Sequence, residues 1–435
     1  MHKLAIFLLL VVLSSCDYFS KKYPTAMYRG DTARTGFLQD SITIPTSLKW
    51  KYKTNGKIFA APLVTQKYVY VGSSDSVVYC FTKDGELNWK YTTQGGVNST
   101  PVLYENRIFF ISEDGNIYAI DANSGREKWV FATKGEKDFV KKGLYGLRPE
   151  NRDHSDLWDL FLSSPMIYKN RIVVGGGDHY IYGLDPEDAR MMFRFVGNEI
   201  VHSSMAGAYN MVYVGCWDGY LYALEAVTGV ELWRQSAGLD STNYKMQGIQ
   251  GTPAVADSLL IVPSRDSHLY AMHVKKGEIK WKHDNDSSWL VSSPAIVDNR
   301  IYFTTFDDHM LKSIDLHTGR LIYKTNIGTY NLASPVIAGN KLVLATLAGE
   351  LQIYDRFTGE KVWSWQTDGS KNNPHGLVME DGSLDKTMIF KTNNYYEHRN
   401  SINKILSSGA IISEPVVHGD NIYLTSTDST LYVLQ

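Results

Sequence analysis

The stretch Pro101-Val-Leu-Tyr-Glu-Asn-Arg-Ile-Phe-Phe-Ile-Ser-Glu-Asp-Gly-Asn-Ile-Tyr-Ala-Ile-Asp-Ala-Asn-Ser-Gly-Arg-Glu-Lys-Trp129 decides the fold. Its β-branched and aromatic runs favour strands. Asp114-Gly115 is a tight hairpin signal. Ser124-Gly125 places glycine where a turn needs positive φ. The pattern recurs with proline-like anchors at Pro62, Pro101, Pro165, Met205, Pro253, Pro294, Pro335 and Pro415. Aromatic anchors follow 27 to 29 residues later at Trp89, Trp129, Phe193, Trp233, Trp281, Tyr323 and Trp363. Four strands per unit at this period predict an all-β, eight-bladed β-propeller of antiparallel blades.

The eighth unit ends at Gln435 after its third strand, with no aromatic anchor. Thr46-Ser-Leu-Lys-Trp50-Lys-Tyr-Lys has the outer-strand pattern and stands before the first unit. It is expected to complete the last blade and close the ring, which removes open sheet edges. The aromatic anchors are expected to pack between neighbouring blades, each hiding roughly 150–250 Å².

The chain has 435 residues, a formal charge of −2, 21% charged and 43% apolar residues. This balance suits a well-packed domain and excludes a nucleic-acid binder or polyanion by composition. Cys80 and Cys216 fall in units that are not neighbours, so no disulfide is expected between them; Cys216 abuts a turn and is expected to be partly exposed.

At the N-terminus, Lys3 precedes the apolar run Leu4 to Leu13, which ends Leu13-Ser14-Ser15-Cys16. That run suits a signal-peptide core and is too short for a mature span. It resembles a lipoprotein lipobox, which implies residues 1–15 as signal peptide and Cys16 as the acylated, membrane-anchoring residue. Residues 16–45 read as a tether lying on the propeller that spans 46–435. Within it, Tyr28-Arg-Gly-Asp31-Thr-Ala-Arg34-Thr-Gly-Phe37 offers an Asp31–Arg34 pair and a Phe37 contact with the disk.

Three connections between blades are long: Trp129 to Pro165, Trp233 to Pro253 and Trp363 to Pro415, giving insertions at about 134–160, 236–249 and 367–410. All join an outer strand to the next inner strand, so all emerge on one face, beside the Asp turns. Long irregular connections are usually functional. A decorated face and a plain opposite face are therefore expected. In the first insertion, Asp153, His154 and Asp156 are weak metal-ligand candidates without fixed-spacing support; no metal site is assigned. The third insertion, with Tyr395-Tyr-Glu-His-Arg399 between β-like runs, is expected to form a hairpin or lid.

Three residues before each anchor the chain carries Phe59, Asn98, Leu162, His202, Gln250, Val291, Leu332 and Ile412. Asn98, His202 and Gln250 break the apolar rule. With His179, Trp217 and Arg265 from the Asp turns, they make candidate ligand or partner contacts at the channel mouth. On that reading, replacing Arg265 and Trp217 together weakens partner binding and leaves the melting temperature unchanged. No nucleophile–base–orienter set is visible, so no catalytic residue is assigned.

Ala119-Ile-Asp121-Ala-Asn-Ser-Gly125-Arg-Glu-Lys-Trp129, Ala223-Leu-Glu-Ala-Val-Thr-Gly229-Val-Glu-Leu-Trp233 and Ile353-Tyr-Asp355-Arg-Phe-Thr-Gly359-Glu-Lys-Val-Trp363 resemble the tryptophan-docking repeat of pyrroloquinoline-quinone-like propellers. The family has a dehydrogenase branch, which holds quinone and Ca²⁺ over the channel and commonly stacks the quinone on a disulfide of adjacent cysteines. It also has a cofactor-free branch of BamB-type outer-membrane assembly lipoproteins. No adjacent cysteines occur here, and the anchor, chain size and bare eight-repeat design resemble the second branch. That resemblance implies a scaffold without cofactor, a monomeric ring in the Gram-negative envelope, anchored by lipid at the outer membrane and facing the periplasm. Its partners would be envelope proteins of β-barrel assembly. Two enzyme alternatives remain: a quinone- and calcium-dependent dehydrogenase, and a polysaccharide-binding or lyase propeller using His202, Tyr244 and Arg265.

Overall fold

Each repeat folds as four antiparallel strands, and eight such sheets form the ring. The computed structural model describes residues 25–38, 41–238 and 247–435. The leader, Cys16 and Tyr244 lie outside the described residues. The closing strand Leu48–Lys53 pairs antiparallel with Thr430–Leu434, with Trp50 opposite Val433 and Tyr52 opposite Leu431. Middle strands such as Arg107–Ile111 and Asn116–Asp121 are buried almost throughout, because neighbouring blades cover both faces. Outer strands such as Glu127–Ala132 are half-buried only at alternate positions, as a strand with one covered face requires.

The aromatic anchors lock one blade to the next. The Trp89 indole N–H donates to the Ala122 carbonyl at 3.1 Å, and that of Trp50 to Lys83 at 2.9 Å. Most of the rings lie against the turn glycine of the following blade; a Cβ on Gly125 would stand 2.7 Å from the Trp89 ring. Tyr323 reproduces the bond through its hydroxyl, 3.0 Å from the Arg356 carbonyl. The Asp turns carry a second device. Tyr118, Tyr222 and Tyr270 each donate to the aspartate four residues earlier, at 2.7, 2.5 and 2.6 Å.

Around the axis, a belt of hydroxyls links the inner strands. The backbone N–H of Thr100 donates to Ser164 Oγ at 3.0 Å, Ser164 N–H to Ser204 at 2.9 Å, and Ser293 N–H to Ser334 at 2.9 Å. Glu414 occupies the belt position in the eighth blade and is the exception that a cation must answer.

That cation comes from the N-terminal segment, which does more than lie on the disk. Residues 27–36 fill the channel at the end away from the insertions. Carbonyls of Thr32, Ala33, Thr35 and Gly36 accept from the inner-strand N–H groups of Gly207, Val255, Ile296 and Ile337 at 2.7–2.9 Å. Strand Thr25–Ala26 adds to the second blade and Phe37–Leu38 to the seventh. Phe37 packs on the blade 6 and 7 core, as expected. The Asp31–Arg34 pair does not form. Asp31 accepts from Thr35, while the Arg34 guanidinium turns inward to the Met205 carbonyl at 2.8 Å. The opposite face is also not plain. Beside the plug, where the eighth and first blades carry no added strand, lies a mostly apolar recess of about 480 Å³.

The first and third insertions meet over the other end of the channel. Arg148 N–H donates to the Asn393 carbonyl at 2.6 Å, and Tyr395 N–H to the Arg148 carbonyl at 3.0 Å. His154 stacks on Tyr395 at 4.1 Å. The third insertion is helical, not a hairpin: α1 spans Asp368–Asn372 and α2 spans Tyr395–Ser407. Asn394 caps α2 by accepting from the N–H groups of Tyr396 and Glu397. Ile402, Ile405 and Leu406 follow at helical spacing and are buried. They join Trp158, Trp289, Phe306, Leu377 and Leu384 in the largest apolar cluster among the described residues. Each such side chain contributes about 1.5–3 kcal/mol by burial, so the cap is a part of the core.

Candidate functional site

The cap explains the mixed positions along the channel mouth. Val291, Leu332 and Ile412 face the third insertion and belong to its apolar cluster. His202 and Gln250 find their partners on the first insertion, and Asn98 turns to a carboxylate of its own blade. Gln250 Nε2 donates to the Trp158 carbonyl at 2.9 Å. Asn98 Nδ2 donates to Glu113 Oε1 at 2.6 Å. Tyr28 and Phe161 border the enclosed channel from its two ends, leaving about 50 Å³.

His202 sits between two carboxylates from the first insertion. Its Nδ1 is 2.8 Å from Asp159 Oδ2 and its Nε2 is 3.2 Å from Glu136 Oε2. Burial alone would lower its pKa, but Asp159 and Glu136 outweigh that and hold it up at about 10. Burial also raises the Asp159 carboxyl, against the pull of His202. The proton therefore resides on the imidazole, which bridges the insertion to blade 4.

Arg265 makes the matching bridge from blade 5. Its guanidinium lies between the Trp217 and Trp289 rings, 4.5 and 4.3 Å from their centres. It pairs with Asp156 at 2.7 Å and meets the Tyr145 hydroxyl, which also donates to Asp156. Trp217 in turn stacks on Phe139 at 4.7 Å.

Five of the six residues expected to line an open mouth are therefore buried: Asn98, His202, Trp217, Gln250 and Arg265. His179 is partly exposed in its turn, where its carbonyl accepts from Gly197. Arg265 and Trp217 hold the insertion down, so the expectation that their removal leaves stability unchanged is corrected. Cys216 is also fully buried, its thiol against the Glu199 and Ile200 carbonyls, and burial pushes its pKa well up. The metal candidates part company: Asp156 goes to Arg265 and His154 to the Pro149 carbonyl, while Asp153 is exposed. Among the described residues, no three His, Cys, Asp or Glu side chains converge to hold a metal ion.

The sequence reading named Asn98 and His202 but missed the other residues that line an open recess at this mouth. Between the first insertion and blades 2 to 4 lies a recess of about 500 Å³, with Glu113, Glu136, Asp138 and Asp159 on its wall. Phe59, Leu160 and Phe161 line its apolar side and are half-buried. The available signal was the run of acids through the first insertion, set opposite the polar breaks at Asn98 and His202.

Comparison with known proteins places this geometry. The sequence model of the family described as outer membrane protein assembly factor BamB matches residues 44–142, 151–365 and 218–435. BamB of Yersinia pestis is 22% identical over 331 residues, which are 72% of this chain and 78% of that protein. BamB of Legionella pneumophila is 25% identical over 189 residues, and the match spans about half of each chain, 42% of this one and 47% of that protein. The crystal structure of BamB from Moraxella catarrhalis superposes with a TM-score of 0.63 at 15% identity, covering 90% of this chain and 98% of that one. The quinohemoprotein alcohol dehydrogenase of Comamonas testosteroni shares the fold, with a TM-score of 0.69 at 14% identity over 94% of this chain and 80% of that one. The repeat, the ring closure and the matched residues together make this chain a member of the BamB family of pyrroloquinoline-quinone-like propellers.

Proposed function

We propose that the protein is a non-catalytic protein-binding scaffold in the envelope of a Gram-negative bacterium, anchored through Cys16 at the outer membrane and serving β-barrel protein assembly as a monomeric ring. Membership of the BamB family supports the assembly role. The single observation that carries the scaffold reading is the closed channel. Tyr28 and the arginines fill one end, Trp158, Phe161 and the helical cap cover the other, and about 50 Å³ is left between. The axis therefore offers no chamber of the few hundred Å³ that a small-molecule substrate needs, and the larger recesses lie outside the channel. What the cap offers instead is surface, including exposed Tyr396.

The dehydrogenase alternative has the fold similarity in its favour and the residues against it. Phe161 closes the end of the channel over which a quinone would sit, and Cys80 and Cys216 are separate buried thiols. The lyase alternative needs His202 and Arg265 open to a polymer, but both are engaged under the insertion.

Purification of the tagged, full-length protein from mildly cross-linked native envelopes tests the proposal. Recovery of β-barrel assembly components is the expected result. Recovery of none, together with dye-linked dehydrogenase activity on adding pyrroloquinoline quinone and Ca²⁺, would replace it with the enzyme reading.

A further inference from the structure

The N-terminal plug repeats one contact around the axis. In blades 4 to 7 the residue two places after the proline-like anchor turns its backbone N–H toward the channel. These N–H groups, of Gly207, Val255, Ile296 and Ile337, donate to the carbonyls of Thr32, Ala33, Thr35 and Gly36. Leu103 of blade 2 is paired with Ala26, and Met27 packs on the cluster that holds Ile167 of blade 3. The plug thus runs an arc from blade 2 to blade 7 and stops short of blades 8 and 1.

In that gap the equivalent residues are Val417 and Val64. Val64 stands opposite Val69, while Thr65 N–H donates to the Tyr68 carbonyl at 2.9 Å. Bonded and non-bonded pairs alternate in an antiparallel ladder, so the N–H and C=O of Val64 point away from its own blade. Val417, opposite Ile422, holds the place that Ile337, opposite Leu342, holds in blade 7. No acceptor among the described residues takes the N–H of Val64 or Val417. Both residues line the mostly apolar recess of about 480 Å³, together with Leu63, Tyr68, Leu103 and Val416. Two open strand edges therefore border one apolar space.

An open strand edge is a template for another strand, and this molecule shows what its inner edges take. Thr25–Ala26 adds to blade 2 antiparallel and Phe37–Leu38 adds to blade 7 in parallel, one on each side of the gap. The docking carbonyls come from small residues, Thr32, Ala33, Thr35 and Gly36, one or two places apart from blade to blade. Two blades thus ask for about three or four residues of extended chain, with side chains alternating between the edges and the recess. A chain that has not folded offers such backbone groups, because those of a folded protein are already paired.

We propose that this recess binds an extended segment of an unfolded polypeptide by strand addition to the inner edges of blades 8 and 1. The inference goes beyond the scaffold reading and stands without it. It sets the recess apart from the capped face: the recess takes unfolded chain, the cap a folded partner.

Hydrogen exchange of the purified full chain, read residue by residue, tests the site. In the free protein the amides of Val64 and Val417 should exchange fast, and those of Val255, Ile296 and Ile337 slowly. Saturating acetyl-Thr-Ala-Val-Thr-Gly-Phe amide, a peptide patterned on the plug, should slow Val64 and Val417 at least about tenfold. Val64→Pro/Val417→Pro removes the two donors and keeps the ladder bonds, since proline is tolerated on an edge where its missing N–H faces outward. That variant should bind the peptide at least about tenfold more weakly, with its thermal midpoint close to that of the wild type. Should it fold poorly, the exchange data on the unaltered protein decide alone. Val64 and Val417 amides already as slow as that of Ile337 in the free protein would mean that the chain itself fills the edges, and would overturn the proposal. Peptide that leaves both amides fast, or that binds the proline variant unchanged, would also overturn it. So would slowing by palmitate and not by the peptide, which assigns the recess to an acyl chain.

Discussion

Arg29 and Glu414, 385 residues apart, form an ion pair at 2.9 Å inside the channel, with side chains 0% and 3% exposed. The Arg29 guanidinium also donates to the Pro294 carbonyl at 2.8 Å and to that of Arg34 at 3.1 Å. One interaction thus ties the N-terminal plug to the eighth blade, whose closing strand Leu48–Lys53 follows the plug in the chain. Removing one partner of a buried pair strands a charge and costs about 3–5 kcal/mol. Glu414→Ala should lose that much by urea unfolding. Arg29→Ala/Glu414→Ala should lose clearly less than the sum of the single changes.

Gly36 is where the plug leaves room for that arginine. Its φ is +61°, and a Cβ there would lie 2.0 Å from Arg29 Nη2. Gly36→Ala should therefore expel Arg29 and destabilise the fold by about 1–3 kcal/mol or more. Adding Arg29→Ala to it should cost little further. A full additive loss would show that Gly36 acts through its own backbone alone.

Arg265 pins the cap by cation, aromatic and carboxylate contacts at once. Arg265→Ala should lower unfolding stability by about 3–5 kcal/mol and open the segment around 134–160 to limited proteolysis before the blades are cut. Wild-type protection of that segment would refute the pinning role.

His202 makes stability depend on alkaline pH. Its pKa rises from 6.5 to about 10 in the fold, so its contribution is complete below about pH 6.5 and is lost as pH climbs toward 10. Thermal or urea unfolding between pH 6 and 10 should show declining stability in the wild type. His202→Gln should be less stable at pH 6 and flatter across the range. The imidazole carbon and nitrogen shifts by NMR should report the charged ring at pH 8.

Much of the ring was legible in the chain because its determinants are local and repeated. Asp114-Gly115, Ser124-Gly125 and Trp129 each specify a turn or contact within one unit, and Trp50 announced the closing strand through the same pattern. The plug was not legible, because its carbonyls do the docking and carbonyls have no sequence signature. The helix α2 is set by the Asn394 cap and by the helical spacing of Ile402, Ile405 and Leu406, a signal that the β-like flanks of Tyr395–Arg399 obscure. At the mouth, Asn98, His202 and Gln250 stand out in the sequence as polar breaks, and the structure buries all three. Asp159 and the Trp158 carbonyl, the partners of His202 and Gln250, depend on how the first insertion folds back, which spacing does not encode, whereas Asn98 turns to Glu113 of its own blade.

The most direct test of the scaffold account is site-specific photo-cross-linking in living envelopes. A photoreactive residue is placed at Asp138 or Tyr396 on the capped face, or at Lys67 or Asn123 beside the opposite recess. The account predicts adducts with β-barrel assembly components from the capped-face positions and none from the recess. Adducts from the recess alone, or capped-face adducts lacking any assembly component, would contradict it.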